Sequence, residues 1–308
     1  STQAKTLFPY TTLFRSAEIL ASEKAKLAGT VKFIFQPAEE GVYNDKGEMI
    51  LSGAELMVKE GVLENPKVDV IFGLHIAAGS DNGVIEYKPG ATMAAVDQLD
   101  IKVNGKQAHG ASPWTGIDPI VISSQIVMGL QTIVSRSVNI TEDPAIVTVG
   151  AIHSGIRQNI IPESSHMIGT IRTFGVEQRK LVHQRIKDIA TNIAVSGGGK
   201  ADVTIGTGYP VTYNNPQLVE KMLPTLQGVN GKDRVRVVPA HTGAEDFSFF
   251  QQKVPGFFFF LGARADNKKA DEVAGHHTPD FHLDEGHFQV GVKALSSLVV
   301  DYFEQAKK

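Results

Sequence analysis

Hydrophobic residues follow two different rhythms along this chain, and the switch between them marks its organisation. Ser16 to Ala28, rich in Ala, Glu, Lys and Leu, predicts a helix. VKFIFQ (Val31 to Gln36) is a β-branched and aromatic run stopped by Pro37, and it predicts a strand. Gly53 to Lys59 predicts a short helix, and VDVIFGLH (Val68 to His75) a second strand. Both strands are almost continuously apolar, as strands of a buried parallel sheet are.

From about Met93 the rhythm changes. VDQLDIKVN alternates apolar and polar residues, which suits a half-exposed antiparallel strand. Asp118 and Pro119 open an amphipathic helix to about Arg136. Ala145 to His153 and Ser165 to Phe174 predict strands joined by a loop ending in IIPE. Val176 to Ala194 is helical, with Val182, Ile186, Ile189, Ala190 and Ile193 on one face. Gly197 to Gly199 end it, and ADVTIG adds a strand. The order strand, helix, strand, strand, helix, strand is the ferredoxin-like one. Then the first rhythm returns. It gives a helix over 215–227, a buried strand in PGFFFFLG (Pro255 to Gly262), and a last helix from about Glu285 to Gln305. That helix turns Val292, Leu295, Leu298, Val299, Tyr302 and Phe303 inward. The expectation is an α/β domain, residues 16–92 and 207–308, interrupted by an inserted α+β domain, residues 93–206.

Composition narrows the chemistry. The 308 residues suffice for one large domain or two ordinary ones, and 42% hydrophobic with 20% charged residues fits a soluble globular protein. A net charge of −3 offers no basic surface for nucleic acid or an anionic membrane. No apolar run reaches the ~18 residues of a membrane-spanning helix. Neither partner is expected, and the expected location is the cytoplasm. The absence of cysteine excludes disulfides and thiol catalysis, and ten histidines tilt any metal site toward imidazole and carboxylate ligands. The chain does not begin with Met, and TLFPYTTLFRS (Thr6 to Ser16) resembles the translation of a sequencing-library adapter. Residues 1–15 are therefore set aside as an expected artefact.

Several clusters could carry chemistry. In FQPAEEG, Glu39 and Glu40 follow the end of a predicted strand, where ligands of open α/β sheets bind. One carboxylate could hold a metal while the other moves a proton, although a bare Glu-Glu pair also fits a solvated loop. His75 ends the next predicted strand, in FGLHI, and a lone histidine there also fits a structural role. GHHTPDFHLDE offers His276, His277, His282, Asp280, Asp284 and Glu285, of which the last two also suit the start of a helix. His109 in GKQAHGASP, Asn159 in RQNIIPE and Arg172 in GTIRTF belong to the inserted domain. Glu245 and Asp246 in AEDFSFF could cap a helix or line a site.

Taken in order, FQPAEEG, GAELMVKEG, FGLHI, MAAVD, HGASPWTGIDP, LQTIVSR, NIIPE, GTIRTF, AEDFSFF and HHTPDF resemble the dinuclear-metal aminoacylase/carboxypeptidase family. The hippurate hydrolase and auxin-conjugate amidohydrolase branch is the nearest. The resemblance runs from about residue 16 to the end. It implies a metal-dependent exopeptidase-type catalytic domain with an inserted ferredoxin-like lid and dimerisation domain. The implied reaction is hydrolysis of the amide bond of N-acyl amino acids or small peptide-like substrates. It matches Glu39 to the general acid/base, and Glu40, His75 and His277 to metal ligands. It matches His109 to a lid histidine that polarises the scissile carbonyl from the partner subunit, and Asn159 and Arg172 to substrate binding. Two divalent ions (zinc, manganese, cobalt or nickel) and a homodimer through the lid are implied for the intact family member. The branch also carries a HACGHD-type motif before FQPAEEG, and nothing like it occurs here. The expectation is an N-terminally truncated chain that holds fewer ions and hydrolyses poorly. The alternative is a dimerising or binding homologue without catalysis.

Overall fold

Four consecutive phenylalanines, Phe257 to Phe260, lie at the centre of one half of the molecule, all of them buried. The computed structural model describes residues 8–43 and 49–306. It divides into two units. The first takes in the described residues up to Thr92 with Thr212–Ala240 and those from Asp246 on; the second is Met93–Val211 with His241–Glu245.

In the first unit the strand Gly256–Arg264 is buried along almost its whole length. It runs parallel to Ile71–Asp81 on one side and antiparallel to Ile85–Tyr87 on the other, and Val235–Val237 completes the sheet. Phe257, Phe259 and Leu261 meet Leu218, Met222 and Leu226 of helix Pro216–Asn230 and Ala294 and Leu298 of helix Phe288–Ala306. Full burial of each such side chain contributes roughly 1.5–3 kcal/mol. Gly291 sits deep on the last helix because a Cβ there would stand 3.1 Å from Leu261 and 3.3 Å from Leu74. Gly291 and Ala294, rather than the predicted Val292 and Val299, therefore take the closest positions.

Three expectations for this unit change. Ile71–Asp81 shares the apolar style of the central strand but lies at the sheet edge, and most of its residues are only half-buried. It also runs past His75 to Asp81, which places His75 within the strand, opposite Phe260, instead of at its end. Pairing continues to Asp81, whose carboxylate is held by Arg264 and, at 2.8 Å, by Arg236. The predicted strand Val31 to Gln36 carries no strand assignment. Side chains help to anchor it, with Lys32 Nζ donating to Val62 O at 2.6 Å and Phe35 stacking on Phe14 at 4.6 Å between ring centroids. Apolar propensity sets an extended backbone, but a strand also requires a ladder. Finally, the first helix is Phe8–Ser22, earlier than predicted, followed by a short 3-10 turn at Lys24–Lys26. It begins within the adapter-like string, of which Thr6 and Leu7, like all of residues 1–7, lie outside the described residues. Thr12, Ser16 and Leu20, spaced by four, are its buried face.

The second unit is a four-stranded antiparallel sheet in the order Lys200–Thr207, Ala95–Asn104, Ser164–Thr173, Ala145–Ser154. That is the ferredoxin-like arrangement. Burial alternates along Ala95–Asn104, as its sequence predicts. Leu99, Ile101, Val103, Met167 and Ile171 pack against Ile122, Ile126 and Leu130 of helix Pro119–Thr132 and Val182, Ile186 and Ala190 of helix Val176–Ser196. Asp118 caps the first of these helices, accepting from Ile120 N at 2.8 Å and Val121 N at 3.3 Å.

Candidate active site

The FQPAEEG segment turns sharply after its extended stretch. Ala38 takes a left-handed backbone with φ 49°, and its carbonyl accepts from Gly41 N at 3.1 Å and Gly53 N at 3.2 Å. Gly53 opens the helix Gly53–Lys59 hard against this loop, since a Cβ there would lie 1.6 Å from Pro37 O. Asp246 closes the arrangement. It is fully buried, accepts from Ala54 N at 2.9 Å, and is hydrogen-bonded by Gln36 Nε2. Carboxylate oxygens of Glu39 and Asp246 lie within 4.8 Å of each other. Asp246 thus receives the Ala54 amide in the first turn of a helix that Ser52 caps, and it stands beside Glu39.

The histidines gather on the same unit. His277 Nδ1 is 3.6 Å from Glu40 Oε1, and His277 has a left-handed backbone with φ 63°. Among the described residues, the non-glycine positions with positive φ are Ala38 and His277. Such strain costs of order 1–3 kcal/mol and collects at functional sites. His75 Nδ1 lies 2.6 Å from Ile76 O. A carbonyl only accepts, so Nδ1 carries the proton and the lone pair sits on Nε2, the form a metal ligand takes. His276 stands beside His75, 5.4 Å between ring centroids, and its Nε2 accepts from Ala78 N at 3.3 Å. Burial first, then the neighbouring His75 and His277, depress its pKa to about 4, which keeps the ring neutral. A carboxylate, two candidate imidazole donors and a neutral imidazole beside them suit a divalent transition ion. Asp284, weighed as a helix-starting charge, instead accepts from Gly286 N at 2.8 Å within its own turn.

In the second unit, the short strands Ala108–His109 and Ile160–Ile161 pair, and Gly110 N donates to Asn159 O at 2.8 Å. This brings His109 and Asn159 together. His109 Nδ1 accepts from Ala111 N at 3.0 Å, so the neutral exposed ring carries its proton on Nε2 and can donate. Arg172 is placed differently. Its Nε donates to Thr242 O at 3.1 Å, and its Nη1 to Ile171 O at 3.1 Å and to Thr170 Oγ1. Burial lowers its pKa, against the opposing charge of Asp97. Asp97 is itself buried, held by Arg179 at 2.9 Å and His183 at 2.6 Å. Sequence reasoning passed over Gln36, whose only signal was its place before Pro37; His276 was offered as a candidate ligand of its loop but given no partner.

A loop with two glutamates, a cluster of histidines beside it and a ferredoxin-like insertion fit a metal-dependent hydrolase of amide bonds. The chain belongs to peptidase family M20/M25/M40, which it matches over residues 11–301. It is 35% identical to thermostable carboxypeptidase 2 of Saccharolobus solfataricus, over 94% of this chain and 70% of that protein. It is 33% identical to N-acetylcysteine deacetylase of Bacillus subtilis, over 97% of this chain and 73% of that protein. Among solved structures it resembles the Bacillus subtilis YXEP protein, described as a dinuclear metal binding peptidase of the M20 family. That likeness has a TM-score of 0.75 and 31% identity, over 96% of this chain and 72% of that one. These relatives carry enzyme names, and none favours a non-catalytic homologue. Among the described residues no helix is long and apolar enough to cross a membrane.

Proposed function

We propose that this protein hydrolyses the amide bond of N-acyl amino acids or small peptides, with Glu39 as the general acid/base. The observation that carries the reading is the Glu40–His277 approach of 3.6 Å, next to a half-buried Glu39 that stands within 4.8 Å of Asp246. Glu40, His75 and His277 would hold divalent ions; zinc, manganese, cobalt and nickel all suit this donor set. When bound, such ions lower the pKa of a water and polarise a carbonyl. Glu39 then takes a proton from the attacking water and passes it to the leaving nitrogen. His109, reaching the active site of the partner subunit, donates from Nε2–H to the developing oxyanion there. Asn159 and the Nη2 edge of Arg172, unused in the bonds above, bind the substrate, the latter through its carboxylate. The domain limits 16–92 with 207–308, and 93–206, are proposed as catalytic and lid domains, with the lid as the homodimer surface.

The test is hippurate hydrolysis by the 308-residue chain with zinc or manganese added. Activity should require the ion, and Glu39→Gln should lower kcat by roughly 10²–10⁴-fold. Ion-independent hydrolysis, or a fully active Glu39→Gln protein, would rule the reading out.

A further inference from the structure

We infer that Asp246 is the positioning residue of the glutamate loop, tying Gln36 at its entrance to the first turn of Gly53–Lys59 and so setting where Glu39 and Glu40 stand. A fully buried carboxylate is tolerated only when donors surround it, and Asp246 takes Gln36 Nε2 and Ala54 N. An amide at a helix N-terminus favours a negative partner. The bonds of Gly41 N and Gly53 N to Ala38 O hold the tip of the loop, while Asp246 holds its entrance at Gln36. Ala38 is left-handed, and a conformation of that kind persists only where its surroundings impose it. Gly53 brings the helix within contact of Pro37 O, so the helix forms one wall and Asp246 fastens the loop to it. The same carboxylate lies within 4.8 Å of Glu39, so a shift of Asp246 moves or repels the proposed base directly.

The inference rests on the proposed function for what Glu39 and Glu40 do, but not for how they are held. Hydrogen exchange on the full chain separates the two. In Gln36→Leu and in Asp246→Ala, protection at residues 36–41 and 53–56 should fall about tenfold or more, while Ala95–Asn104 and Val176–Ser196 exchange as before. The double variant should be no worse than the worse single one, as expected of two partners in one bond. Zinc affinity by calorimetry should drop roughly 10–100-fold, the usual cost of losing a residue that orients a ligand. In hydrolysis kcat should fall with KM little changed. Wild-type protection of the loop in Gln36→Leu overturns the inference, as does faster exchange spread evenly over both units. Should Asp246→Ala fail to fold, Gln36→Leu decides alone. A chain that shows the predicted exchange yet hydrolyses nothing counts against the proposed reaction and leaves the positioning role standing.

Discussion

His75 and His109 use the same ring atom in opposite senses. His75 donates from Nδ1 to a carbonyl, and His109 accepts at Nδ1 from an amide. One ring therefore offers a lone pair at Nε2 and the other a proton, which suits the roles proposed for them. No sequence motif states this; the backbone atom within reach decides it. Asp97 shows the same dependence on neighbours. Burial pushes its carboxyl up, but hydrogen bonds from His183 and Arg179, with their charges, outweigh it and hold the pKa at about 2, against an ordinary 3.8. A depressed carboxyl stabilises the fold fully above its ordinary pKa and loses that contribution as pH falls through the lower one. The contribution is about 2 kcal/mol, lost between pH 4 and 2. Denaturant unfolding of the wild type across that range should show the slope, and Asp97→Asn should lack it. That variant also leaves Arg179 without its buried partner, so it should be about 3–5 kcal/mol less stable at pH 7.

Among elements, the informative case is the one that did not form. Val31 to Gln36 has the composition of a strand, yet the sheet ends at Ile71–Asp81 and the segment stays unladdered. The helix Gly53–Lys59, in contrast, has the predicted bounds because its signals are local. Ser52 caps it, accepting from Glu55 N at 3.2 Å, and glycine opens it. The glycine has a second purpose that only the packing reveals, the close approach of Pro37. Gly53→Ala should therefore cost about 1–3 kcal/mol by denaturant unfolding, although alanine is the better helix former. The same variant should bind zinc more weakly, because the displaced loop carries Glu40. Unchanged stability would mean that the loop can retreat without loss.

At the scale of the molecule, ion binding and folding are linked. Zinc at about 100 times its Kd should stabilise the first unit by about 2.7 kcal/mol, read as a rise in Tm that chelator reverses. Glu40→Ala and His277→Ala should abolish the rise. A rise unaltered in both would move the ion site elsewhere. Sequence alone determined much of this architecture. Alternation in Ala95–Asn104, a capped Pro119–Thr132 and an unbroken apolar run in Gly256–Arg264 are short-range signals, and periodicity converts them directly into elements. Ordered motifs likewise carried the family and its amide chemistry. Tertiary structure alone decided the rest: that His276 joins His75, that His75 lies within its strand, that Gln36 reaches Asp246. The partners in these contacts are separated by as many as 210 positions in the chain. Neither hydrophobic rhythm nor local propensity encodes such a distance. It is set by which surfaces meet when apolar faces are buried, and by the need of every buried charge to find its donors.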